Sequence, residues 1–242
     1  MASDLRARLA QRKYAILLVA LLVMILVPVI RGEPAEGGSD ALWGLVLIAG
    51  VQAAARGRGV VILLVTVGSV ALAGRLLATF GPRLTYQEQV DNGSTALAAI
   101  FLAMTIFLVY SSIIRSARVN ADSVMGAVAV YLLIGIMWTN FYAIAYNADA
   151  SSFNFPEYAR PLPGEVIPEY TFGYYSFVTL TTLGYGDITP TTFRTRTLSW
   201  LEAVFGVTYM ATVIAFLVSR MMIERRRDPP ETGLPRRNDP PN

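Results

Sequence analysis

Long apolar runs separated by short charged breaks occupy most of this chain. A hydrocarbon core of roughly 30 Å asks for about 20 apolar residues in a helix, with some latitude for tilt. Six stretches meet that need: 14–30, 41–55, 60–80, 95–114, 123–146 and 197–222. The second is short, but Arg56 at its end can snorkel to the interface and extend its usable length. Between the fifth and sixth stretches, residues 170–181 are aromatic and threonine-rich but too few to cross, and a glycine-containing segment follows them. A half-helix that enters the membrane and returns as extended chain is permitted only where protein or a water-filled cavity covers its backbone. The pattern predicts an all-α membrane protein with six transmembrane helices plus one re-entrant helix and loop.

Composition agrees, with 54% hydrophobic and only 15% charged residues. Cysteine and histidine are absent, which excludes disulfides, thiol catalysis, zinc or haem ligation through these residues, and histidine-based pH sensing. No enzymatic activity is expected. The net charge of +3 says less than its distribution. Arg6, Arg8, Arg12 and Lys13 precede the first stretch, Arg56 and Arg58 separate the second from the third, Arg115 and Arg118 the fourth from the fifth, and Arg225, Arg226 and Arg227 follow the sixth. All fall on one side, whereas the opposite loops carry Glu33, Glu36, Asp40, Glu88, Asp91, Glu157, Glu165 and Glu169. By the positive-inside rule both termini are cytoplasmic. No Ala-x-Ala-like cleavage site follows the first stretch, so an uncleaved span is expected. Asn92-Gly93-Ser94 reads as a turn before the fourth helix.

The run Thr181-Thr182-Leu183-Gly184-Tyr185-Gly186-Asp187 follows the aromatic, threonine-rich segment and precedes a long apolar helix. In that context it resembles the selectivity filter and inner helix of the six-transmembrane-helix potassium channel family. Leu183 stands where the family has its usual valine. The resemblance implies that backbone carbonyls from Thr182 to Tyr185, in four copies, replace the hydration shell of K⁺. Gly184 and Gly186 are suited to left-handed backbone angles, which let an alternating chain turn successive carbonyls to one axis. Thr182 adds a hydroxyl at the cytoplasmic end. The metal site is thus Thr182, Leu183, Gly184, Tyr185 and Gly186, with K⁺ as permeant ion and no organic cofactor. One filter per chain implies a homotetramer with closed symmetry. Membrane lipids are the other expected partners, with no nucleic acid and no soluble partner, and the location is the cell membrane, plasma or inner.

Over the first four helices the resemblance is only one of layout. Voltage-gated relatives carry arginines every third residue in the fourth helix, because each charge moved through the field is worth about 2.3 kcal/mol per 100 mV. Residues 95–114 contain no basic residue. Arg115 and Arg118 sit at its cytoplasmic end and read as topology anchors. The expected organisation is a cytoplasmic N-terminus (1–13), a peripheral four-helix domain lacking sensing arginines (14–119), a pore domain (120–222) and a disordered tail (223–242) with no room for a ligand-binding domain.

Further residues gain roles from the same resemblance. Gly206 falls where the family places its gating glycine, and either bending or close packing explains a glycine there. Below it Met210, Ile214 and Val218 form one face, and Thr208, Thr212 and Ser219 another. Counting from the filter assigns the gate to the apolar face. Tyr174 and Tyr175 stand where many potassium channels keep an aromatic cuff, with plain core packing as the alternative. Asp187 resembles the outer-mouth carboxylate. Val178 replaces the carboxylate that some relatives hold behind the filter. Ionisable groups inside spans are costly. Arg75 is therefore expected to snorkel or to pair with Asp40 or Asp91, and Glu202 to support the filter through a link with Asn140 and the pore helix. Competing readings are a weakly selective cation channel, a potassium transporter subunit or a non-conducting scaffold.

Overall fold

The computed structural model describes residues 12–31, 39–55, 57–80, 87–116, 120–157 and 169–227. Arg6, Arg8, Glu33, Glu36, Arg56, Arg118, Glu165 and the tail from 228 lie outside them. The protein is an all-α membrane protein. Its helices are α1 (Lys13–Arg31), α2 (Ser39–Ala54), α3 (Arg58–Phe80), α4 (Gln87–Arg115), α5 (Ala121–Ala148), α6 (Glu169–Leu180) and α7 (Phe193–Arg227). Five of these are long and apolar enough to cross a membrane, namely α1, α3, α4, α5 and α7, and α2 is a shorter apolar helix. A 3₁₀ turn at Ala150–Ser152 and two short strands, β1 (Phe153–Asn154) and β2 (Thr189–Pro190), complete the described elements.

The largest departures from the sequence reading lie at two boundaries. Helix α4 begins at Gln87, so Asn92-Gly93-Ser94 lies inside it and is not a turn. Tertiary contacts hold that first part in place: Ser94 is buried against Gly74 of α3, its hydroxyl returns to the Asp91 carbonyl at 2.9 Å, and Asn147 of α5 donates to Asn92 at 2.7 Å. Helix α7 continues through the arginine run to Arg227, five residues past the expected end of the span. Those residues have left the apolar pattern, but nothing in them breaks a helix.

The larger apolar cluster of the interior joins Leu17 and Leu21 of α1, Trp43 of α2, Leu64 of α3, Phe101 of α4 and Leu133 of α5. Arg75 places its guanidinium 5.0 Å from the ring centroid of buried Trp43, a cation–π contact that accommodates a charge inside a span. Asn120 caps α5 by accepting from the Ser123 amide at 2.8 Å, within a reciprocal capping box. Helix α5 is central: α1 and α4 pack on it, and α6 and α7 pack on it as well.

Candidate functional site

Helix α6 lies within the protein, with Phe172, Tyr175, Ser176, Val178 and Leu180 buried, and the chain then folds back on its C-terminal end. The Thr182 amide donates to the Thr179 carbonyl at 2.9 Å, and the Leu183 and Gly184 amides both reach the Val178 carbonyl, at 2.9 and 3.2 Å. The negative end of the helix macrodipole therefore sits at the start of this segment, a favourable place for a cation.

From Thr182 to Gly186 the backbone alternates in hand. Thr182, Gly184 and Gly186 have φ of 59°, 59° and 77°, and no other described residue has positive φ. Glycine takes this conformation without steric cost. A β-branched residue does so only where its surroundings compel it, and the hydrogen bond from the Thr182 amide to the Thr179 carbonyl belongs to that constraint. The sequence reading missed this strained threonine, because only its position in an alternating chain reveals it. All of residues 181–186 are exposed, Leu183 at 55% and Tyr185 at 66%.

A hydrogen-bonded shell stands behind the segment. Tyr174 donates to Asp187 at 2.7 Å, and its ring stacks on that of Tyr185 at 6.4 Å and 12°. Tyr175 points the other way: its hydroxyl is 2.6 Å from Ser199 of α7, and its ring packs edge-on against Tyr142 and Phe153. The two tyrosines thus face opposite ways, Tyr174 toward the loop and Tyr175 into the core.

Glu202 of α7 is fully buried. Its carboxylate accepts from Tyr142 of α5 at 2.5 Å and from Ser176 of α6 at 2.5 Å, so that three helices meet on one side chain. Asn140 is not part of this link. Its amide donates to the Ile136 carbonyl of its own helix at 2.7 Å. Residues two apart on a helix point about 200° from each other, so Asn140 and Tyr142 cannot both face α7, and the tyrosine makes the contact. Ser176 and Tyr142 were missed by sequence reading. The available signal was an aromatic body with a polar tip at the depth of a buried acid.

Beyond the segment, β2 pairs antiparallel with β1, which sets Phe153 opposite Pro190 and Asn154 opposite Thr189. Thr191 and Thr195 bond the Ser152 carbonyl, and Arg196 bonds that of Pro190 at 3.2 Å. The exit of the segment is thereby tied to the end of α5. Nearby, the Ser151 hydroxyl and amide hold the Asp149 carboxyl below the usual carboxylate range.

Gly206 sits against the end of α6. A Cβ there would meet the Leu180 carbonyl oxygen within contact distance, and α7 is α-helical on both sides of it, so close packing accounts for the glycine. Met210, Ile214 and Val218 are among the exposed large hydrophobic residues, Ile214 at 53%. Thr208, Thr212 and Ser219 are exposed too, and Thr212 returns its hydroxyl to the Thr208 carbonyl at 2.8 Å. Val213 and Leu217 face Ala127 of α5 instead.

A family model described as "Ion channel" matches residues 170–223, which span α6, the alternating segment, β2 and most of α7. No curated protein and no solved structure matches the chain. The match supports an ion channel, and it covers the alternating segment, the α6 and α7 residues of its shell and the exposed apolar face of α7.

Proposed function

We propose that this ion channel is a homotetramer conducting K⁺ passively and selectively through residues 182–186. The observation that carries the reading is the alternation of φ at Thr182, Gly184 and Gly186 in a segment that its own chain leaves exposed. Exposed irregular backbone at membrane depth costs several kcal/mol per unsatisfied group. Four copies around an axis remove that cost by turning the carbonyls of Thr182, Leu183, Gly184 and Tyr185 toward a shared dehydrated cation. The Thr182 hydroxyl adds a ligand at the inner end, and Asp187, held by Tyr174, concentrates cations at the outer mouth. Glu202 holds the pore helix from behind through Ser176.

Below the filter, Met210, Ile214 and Val218 of four chains form the gate, an apolar constriction that closes by dewetting. Helices α1 to α4 form a peripheral domain that does not sense voltage. Both termini are cytoplasmic and the membrane is the cell membrane. The test is reconstitution of purified protein into bilayers with opposed K⁺ and Na⁺ gradients. A reversal potential that follows the K⁺ gradient is expected. Equal Na⁺ permeation rejects selectivity and makes the protein a weakly selective cation channel, and ion movement against its gradient makes it part of a transporter.

A further inference from the structure

The cytoplasmic end of α5 holds an arrangement that bears on how four chains assemble. The carboxylate of Asp122, the second residue of α5, accepts from the Ala15 amide at 2.9 Å and lies 3.5 Å from the Tyr14 amide. These amides belong to the first turn of α1, where no carbonyl of the same helix can serve them. One side chain of α5 thus completes the start of a helix more than a hundred residues away. One turn further along α5 stands Gly126, where a Cβ would lie 2.9 Å from Cγ of Tyr14 and 3.0 Å from Cδ1 of Ile113. Only a residue without a side chain lets α1 and α4 approach α5 together at that level.

The connection between α4 and α5 is equally restrictive. Helix α4 ends at Arg115 and α5 begins at Ala121. Six Cα steps reach at most about 20 Å, and short connections of this kind make antiparallel neighbours. Val109 and Ile113 of α4 and Val130 and Leu133 of α5 accordingly lie buried in one cluster with Leu17 and Leu21 of α1. This face of α5 has no room for the helices of a second chain.

From these contacts we infer that each peripheral domain clamps the pore quarter of its own chain, with no exchange of peripheral helices between neighbours. The inference rests on the tetrameric reading above. Neighbouring chains then meet through α6, the 181–186 segment and α7, and Asp122 is the latch that fixes α1 to the pore wall at the point where the α4–α5 connection enters it.

The chain contains no cysteine, so introduced pairs report only themselves. A disulfide needs Cβ atoms about 3.5–4.5 Å apart, a separation consistent with the contact between positions 14 and 126. Tyr14→Cys combined with Gly126→Cys, oxidised in the assembled membrane protein, should form a disulfide within one chain. Two differently tagged chains, one with Tyr14→Cys and the other with Gly126→Cys in a Tyr14→Ala background, should yield no mixed-tag dimer when co-expressed. A mixed-tag dimer overturns the inference. Ile113→Cys with Gly126→Cys repeats the test at the α4–α5 contact, should the first pair fail to assemble, and a mixed-tag dimer there has the same meaning. The mass of the unmodified protein in detergent, by native mass spectrometry, reads the tetramer separately. A mass short of four chains rejects the four-fold reading, whereas the disulfide experiment alone decides where the peripheral helices sit.

Discussion

In helices α1 to α4, side chains meet mainly as apolar surface. Leu17, Trp43, Leu64 and Phe101 fill a shared interior, and the hydroxyls of Thr66, Thr105 and Ser111 turn back to carbonyls of their own helices. Around residues 170–202 the contacts are directed. Tyr174 to Asp187, Tyr175 to Ser199, Ser176 and Tyr142 to Glu202, and the β1–β2 pair each join different elements at a defined angle. Apolar packing in a membrane gains little from one register over another, since lipid tails are as apolar as leucine. Hydrogen bonds between fixed partners specify position and direction. A scaffold can be built from the first kind of contact, but a ring of carbonyls that must match one ion needs the second.

The contrast is broken most severely at the alternating backbone. Gly184→Ala forces a Cβ onto a residue with φ of 59°, at a cost of roughly 1–2 kcal/mol in each chain. Selective K⁺ current in bilayers should disappear while the protein still inserts and folds. An equivalent substitution at an apolar contact in the periphery, such as Leu64→Met, should leave selectivity unchanged.

Glu202→Ala comes next. It leaves the buried Tyr142 hydroxyl without its Glu202 acceptor, a penalty of about 1–3 kcal/mol for the unsatisfied group, whereas Ser176 keeps the Gly135 carbonyl at 2.8 Å. Thermal stability should fall, and single-channel openings should become brief as the pore helix loses its support. Glu202→Gln keeps one acceptor oxygen and should restore most of the open time. Equal open times in the alanine variant and the parent would show that the link does not support the filter.

At the gate the expected effect is smaller and concerns which face of α7 lines the path. Ile214→Cys should react with a water-soluble cytoplasmic thiol reagent and block open channels, whereas Thr212→Cys, whose native hydroxyl is bound to its own helix, should not. The reverse pattern rejects the apolar gate. Ile214→Ser should raise resting conductance several-fold by keeping the constriction wet.

The smallest effect is expected at the end of α4. Arg115→Gln together with Arg118→Gln should leave the conductance–voltage relation nearly unchanged, because residues 95–114 carry no charge to move through the field. A large loss of gating charge in that variant would give the periphery a directed role and erase its contrast with the pore.

Hydropathy along the chain was sufficient to identify the long apolar helices and the uncharged stretch 95–114 within α4, since burial in lipid is decided residue by residue. The run from Thr181 to Asp187 was likewise legible, with two glycines marking two of the three left-handed positions. Tertiary structure alone decided the rest. It set Thr182 in the third left-handed position, took Asn92-Gly93-Ser94 into α4, pressed Gly206 against Leu180, gave Glu202 to Tyr142 instead of Asn140, and set Asp122 beneath the first turn of α1. Each of these depends on which side chain faces which across tens of residues of chain. A local pattern contains the tendency of a segment to be buried or bent, but the partner of a buried polar group is selected only when the helices have packed and their rotations are set.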